Sequence, residues 1–330
     1  MTSLRFSRSF NGGLARRTAS VAAVCYHLPV PHRREFLQGL AAVAGVAAWP
    51  LRTAAQGSPA WKVGGFTKPI QDLSFEETAR VTAEIGWDGI ELALRAGGHV
   101  LPERVEDDLP KMVAALKARD KDVLVLATDI KGGVEPLTER VLRAAAQSGI
   151  RLYRLGPLRY RDGVSIAQQV KDFRPQLKDL AALNKQLGVT GLLQNHSGNG
   201  YVGSAVWDTY ALIEDIDPRE LGVHFDIGHA TVESGLSWPT TFALVKDRIG
   251  AAIVKDFSWK LTPGSGSTPV WCPIGRGTIS PRFFTLLKAS GFRGPITMQF
   301  EYPFENASVD ARLRALKADN AQVRAWISAA

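Results

Sequence analysis

The sequence predicts a single parallel (β/α)8 barrel, and three observations carry that prediction. From Trp61 onward, short apolar strand-like runs alternate with amphipathic helical stretches, eight of each to the end of the chain. Most helical stretches stop at a glycine just before the next strand, at Gly86, Gly149, Gly188, Gly250 and Gly291, where a residue without a Cβ closes a helix at no steric cost. The first strand runs into Thr67-Lys-Pro-Ile-Gln. That is not the glycine-rich phosphate turn usual in the competing open, doubly wound sheet.

In chain order the predicted strands cover 62–66, 89–94, 122–127, 151–155, 190–194, 222–226, 251–255 and 295–301. Each is a short apolar run of the length that strands favour. The helical patterns between and after them cover 75–85, 109–119, 138–147, 166–187, 205–213, 240–248, 281–289 and 309–328. With 330 residues, 45% of them hydrophobic, the chain is long enough for one large core.

The first 55 residues read differently. They hold seven arginines against the single acid Glu35, a charge of +6, which leaves +2 of the formal +8 for the rest. Basic character confined to one end argues against a nucleic-acid footprint on the barrel. Arg33-Arg34-Glu-Phe-Leu-Gln precedes an apolar run from Leu40 to Trp49 and the small residues Thr53-Ala54-Ala55. The segment 1–55 resembles a twin-arginine signal peptide cleaved after Ala55, with 56–330 as the barrel domain. That implies engagement of the twin-arginine translocase and a periplasmic or otherwise exported location. No run of eighteen apolar residues is present, so no permanent membrane span is expected. Cys25 would leave with the leader, and Cys272 alone cannot form an internal disulfide.

In a (β/α)8 barrel the active site lies at the C-terminal ends of the strands. Here those ends carry Glu91, Asp129, Gln194-Asn195-His196, Asp226 with His229, Lys255-Asp256 and Glu301-Tyr302. Charges at such positions are partly desolvated, so each needs a partner or a ligand. The segment Gly222-Val-His-Phe-Asp-Ile-Gly-His229 is the most informative of them. Strand alternation puts His224 and Asp226 on one face, and Gly228 is expected to let the chain turn before His229. An acid and an imidazole where a strand breaks suit metal binding or proton transfer. His224 is expected one step below Asp226 as a buried, hydrogen-bonded neighbour. Lys255 and Asp256 alternate, so only one of them should point inward.

Taken together, Asp-Gly-Ile-Glu91-Leu, Gln194-Asn-His-Ser-Gly198, Asp226-Ile-Gly-His229, Val-Lys255-Asp256-Phe, Ile-Gly275-Arg-Gly277-Thr-Ile and Phe-Glu301-Tyr resemble the sugar phosphate isomerase/epimerase superfamily, the xylose isomerase-like TIM barrels. The resemblance covers roughly 62–303. It implies one divalent metal held by Glu, Asp, His and Glu from strands five to eight, carried here onto Asp226 and Glu301. It also implies a substrate contact at His229. Two positions depart from it: Gln194 stands where strand five usually offers Glu, and Ile253 where strand seven usually offers His. Gln194 can still lend a carbonyl oxygen but brings no charge, and Ile253 cannot coordinate. The expected ligands are therefore Gln194, Asp226 and Glu301, an oxygen set suited to Mg, Mn or Ca rather than Zn, with His196, His224 or His229 as an alternative nitrogen ligand.

With Gln194 in place of one carboxylate, symmetric two-base epimerisation is disfavoured. The expected chemistry has Glu301 as a single base beside a carbonyl, Lys255 or His229 polarising the developing enolate oxygen, and Glu91, His196 and Asp256 binding substrate. The expected function is an exported sugar isomerase- or epimerase-like enzyme, or a sugar lyase, acting beside a carbonyl of a small sugar or sugar derivative. The alternative is a carbohydrate-binding barrel that lost its chemistry with the missing ligands. Cleavage of abasic DNA, known on the same barrel, would need many more histidines than the four that follow Ala55.

Overall fold

The computed structural model describes residues 61–264, 266–304 and 307–330, so the signal-peptide expectation for 1–55 lies outside the described residues. The chain runs β1 (Val63–Phe66), α1 (Phe75–Ile85), β2 (Gly89–Ala93), α2 (Val105–Lys117), β3 (Asp122–Ala127), α3 (Pro136–Gln147) and β4 (Leu152–Arg154). It continues through α4 (Ile166–Leu187), β5 (Thr190–Gln194), α5 (Trp207–Ile213), β6 (Leu221–Asp226), α6 (Ile227–Ser234), α7 (Trp238–Val245) and β7 (Ile249–Val254). A hairpin, β8 (Asp256–Thr262) and β9 (Gly266–Cys272), precedes α8 (Arg282–Ala289), β10 (Ile296–Met298) and α9 (Val309–Ser328).

Eight strands close a parallel barrel in the order β1-β10-β7-β6-β5-β4-β3-β2. Closure comes from β1 on β10, with Val63 opposite Ile296. Every barrel strand falls on a predicted one. The antiparallel hairpin is outside the predicted plan, as is the turn of β6 straight into α6. The helix starts and stops follow local chemistry. Ser74 and Glu77 form a reciprocal capping box on α1, and Gly86 and Gly188 end α1 and α4 in the left-handed region. Gly250 is a correction, because it lies within β7 and caps nothing. A Cβ there would sit 2.6 Å from the Leu192 side chain inside the barrel.

The large apolar core fills the space between strands and helices. Leu124, Val125, Leu192 and Ala251 form a separate apolar plug. Following the strands from that plug toward their C-terminal ends, the side chains become polar: Leu192 gives way to Gln194, and Ala251 to Lys255. That change positions the site.

Candidate active site

Two connected groups of polar side chains, all buried but the half-buried Gln194, occupy the strand ends. The deeper one joins Glu91, Arg154, His224 and Thr297, all buried. Arg154 Nε donates to Glu91 Oε1 at 3.1 Å, and Thr297 Oγ1 donates to Glu91 Oε2 at 2.7 Å. His224 Nε2 lies 3.3 Å from Thr297 Oγ1. Burial pushes the His224 imidazole down to about 4, so it stays neutral as a hydrogen-bonded neighbour below Asp226. Glu91, expected to bind substrate, is fully buried, and its carboxylate accepts from Arg154, Thr297 and Gln299.

The second group, nearer the mouth, is Gln194, Asp226, Lys255 and Gln299. Gln194 Nε2 donates to Asp226 Oδ2 at 2.8 Å and to Gln299 Oε1 at 3.3 Å. Lys255 Nζ lies 3.1 Å from Asp226 Oδ2, 2.6 Å from His229 Nε2 and 3.4 Å from Gln299 Oε1. An ammonium has three N–H donors and no acceptor, and here it donates to His229 and Gln299 and forms an ion pair with Asp226. The Trp271 ring covers it at 4.8 Å, a cation–π contact, and Glu301 Oε1 lies 3.9 Å away. Gln299 ties the two groups together, its Nε2 donating to Glu91 Oε1 at 3.2 Å.

Asp226 ends β6 and caps α6, accepting from the His229 backbone N–H at 3.0 Å. Gly228, expected to allow a sharp turn, has a different reason to be glycine. A Cβ there would stand 2.7 Å from Lys255 Cγ and 2.8 Å from the Lys255 carbonyl oxygen, so any side chain would push Lys255 out of place. The His229 ring lies between Lys255 and Ser197, whose Oγ is 2.7 Å from Nδ1. With Lys255 donating to Nε2, the Nδ1–H donates to Ser197. Burial, and then the charge of Lys255, hold the imidazole well below its usual range, so His229 orients the lysine as a neutral acceptor. His196 stacks on His229 at 4.1 Å and on Tyr201 at 4.0 Å, and burial also lowers its pKa.

The structure therefore brings together Gln194, Asp226, His229, Lys255 and His196, with Glu301 at the rim. The Glu301 side chain is 29% exposed, and its second neighbour is Lys68 at 3.4 Å. A narrow cavity lined by Arg154, Gly156, Leu158, Gln194 and His196 adjoins them. Of the alternating pair Lys255 and Asp256 only the lysine turns inward. The carboxylate of Asp256, expected to bind substrate, accepts from the backbone N–H groups of Phe257, Gly275, Gly277, Thr278 and Ile279 and so organises the loop after β9.

Sequence reasoning missed Gln299 and Ser197. Gln299 had a signal, since it shares strand parity with Thr297 and Glu301, but the charged Glu301 drew the assignment. β9 carries Trp271 over Lys255.

The expected metal set fares differently from its members. Among the described residues no three His, Cys, Asp or Glu side chains gather as a group able to hold a metal ion. Gln194 presents its amide nitrogen to Asp226, and the Lys255 ammonium fills the space against that carboxylate. The residues present do not fit a divalent ion.

Residues 79–319 match the family described as xylose isomerase-like TIM barrel. The chain belongs to that family. No curated protein matches this xylose isomerase-like barrel by sequence. Among solved structures it is similar to 3-keto-D-glucoside 4-epimerase from E. coli, at 17% identity and a TM-score of 0.62 over 80% of this chain and 99% of that one. It is also similar to a D-psicose 3-epimerase solved in the presence of D-fructose, at 13% identity and 0.60 over 81% and 99%. A third is a xylose isomerase-like TIM barrel protein from Mycobacterium smegmatis in complex with magnesium, at 14% identity and 0.60 over 82% and 98%. At these identities what is shared with this xylose isomerase-like chain is the fold.

Proposed function

We propose that this barrel is a sugar isomerase- or epimerase-like enzyme that moves a proton beside the carbonyl of a sugar or sugar derivative. The observation that carries the reading is Glu301 Oε1, on a partly exposed carboxylate, 3.9 Å from the buried Lys255 Nζ. Glu301 is the base, since it can both reach solvent and sit beside a bound carbonyl compound. Lys255 donates to the oxygen that gains charge as the proton leaves. Its longer hydrogen bond, to Gln299 at 3.4 Å, is the one a substrate oxygen replaces. His229 accepts from Lys255 and so holds it in place. The sugar epimerases among structurally similar proteins support the substrate class. The fully partnered Lys255 favours a second reading, a sugar-binding barrel without turnover.

Turnover of keto- and aldo-sugars by the purified chain separates the two, read alongside calorimetric sugar titration. Glu301→Gln should lower kcat at least about 100-fold while leaving stability within about 0.5 kcal/mol, because the side chain is at the rim. Unchanged turnover in that variant would remove Glu301 from the mechanism. Tight sugar binding without turnover in the parent protein would favour the binding barrel.

We also propose export by the twin-arginine route, supported by Arg33-Arg34 ahead of the apolar run to Trp49. Changing both arginines to lysine should leave the protein in the cytoplasmic fraction; export of that variant at the parent's level would sink the proposal.

A further inference from the structure

We infer that the cation of this barrel is the Lys255 ammonium, standing in place of a divalent metal. The inference rests on reading the strand ends as the site described above, and it concerns what neutralises that site rather than which sugar it takes. A divalent ion on oxygen ligands needs several carboxylate or carbonyl oxygens facing a common centre, with negative charge in surplus. The strand ends provide neither. Asp226 is the only carboxylate of the second group, and its Oδ2 already pairs with the Lys255 ammonium at 3.1 Å and accepts from Gln194. Its Oδ1 accepts from the His229 backbone.

The two glutamines are spent in the same way. Gln194 turns its nitrogen toward Asp226, and Gln299 turns its oxygen toward Lys255 and Gln194. On β7, the place of a nitrogen ligand is held by Ile253, buried and apolar. The deeper carboxylate, Glu91, is matched by Arg154, and the outer one, Glu301, by Lys68 and Lys255. Each carboxylate thus faces a cation from this same chain, so no surplus charge is left to draw a second one.

The ammonium site also has features of a built one. The ammonium donates to His229 and Gln299 and pairs with Asp226, Trp271 closes one side, and Gly228 clears space for the side chain. Losing the usual ligands while leaving a buried carboxylate unpaired would be costly. The lysine offsets that cost and keeps a positive charge where a developing oxyanion would need it.

Mn(II) binding to the full-length protein tests this directly. Purified protein should carry far less than one equivalent of any divalent metal, and equilibrium dialysis against 1 mM Mn(II), about the weak end of metal-site affinities, should add none. Its melting temperature should not move with added Mn(II) or with EDTA. The double variant Lys255→Met with Gln299→Glu should take up about one Mn(II) per chain, with at least a tenfold gain in affinity over the parent and a visible hyperfine signature in electron paramagnetic resonance. One tightly held Mn(II) in the parent protein, removed by EDTA with loss of thermal stability, would overturn the inference. That parent measurement decides the matter even where the double variant fails to fold. The inference and the proposed function can also fail separately. A metal-free protein with no sugar turnover sinks only the function, and turnover abolished by EDTA sinks only the inference.

Discussion

Asp226 and Asp256 stand at neighbouring strand ends of one barrel, and both are buried, yet they have opposite surroundings. The carboxylate of Asp256 accepts from five backbone N–H groups, four of them in the loop from Gly275 to Ile279. The carboxylate of Asp226 takes one backbone N–H and otherwise faces the side chains of Gln194 and Lys255. A carboxylate saturated by backbone has no freedom to exchange partners and serves the fold. One held by side chains that can move or trade hydrogen bonds is available to chemistry. Both motifs look equally functional as letters, and only partner type separates them.

The largest effect expected from that contrast is on stability at Asp256. An amide there keeps one acceptor but turns an N–H toward donors, so Asp256→Asn should destabilise by about 3–5 kcal/mol, read from urea unfolding. Gly277 sharpens the point, since a Cβ there would sit 2.3 Å from Asp256 Oδ1. Asp226→Asn should cost less, about 1–3 kcal/mol, because Oδ1 can still cap α6. It should nonetheless lower kcat at least about 100-fold by releasing Lys255. If Asp226→Asn matched the Asp256 variant in stability loss and left turnover intact, the division between scaffold and site would collapse.

How much of this was legible in the sequence follows the same division. The barrel was legible because apolar runs and glycine stops such as Gly86 and Gly188 are local signals. The β8–β9 hairpin was not, because Trp259, Leu261 and Val270 are exposed apolar side chains and break the expected pattern of a solvated loop. At the site, Asp226, His229 and Lys255 could be named from strand-end position. That Lys255 turns inward and Asp256 outward could be narrowed to one of two and no further. Gln299 escaped because an uncharged side chain between Thr297 and Glu301 carries no chemical flag. Its importance comes from three partners on other strands, Gln194, Lys255 and Glu91, and strand pairing of that range is not written in any local window.

A third buried aspartate sharpens the comparison with the smallest effect and a definite sign. Asp319, on α9, holds the same loop from the other side, accepting from the Ile274 backbone N–H at 3.0 Å and from the Tyr302 hydroxyl at 2.8 Å. With two donors where Asp256 has five, burial dominates and pushes its carboxyl up to about 6 from 3.8. The fold therefore prefers the protonated form. Its contribution is fully present below pH 3.8 and is lost as pH rises through about 6. The span corresponds to at most about 3 kcal/mol, and the hydrogen bonds from Tyr302 and Ile274 already offset part of the burial effect in it. Asp319→Asn, an uncharged near-isostere, should gain stability relative to the parent by about 1–3 kcal/mol between pH 4 and pH 7. Urea midpoints for both proteins at pH 4, 5.5 and 7 give the comparison. A gap that stays constant across that range would mean that Asp319 is as well satisfied as Asp256, and that counting backbone donors does not predict which buried carboxylates are free to titrate.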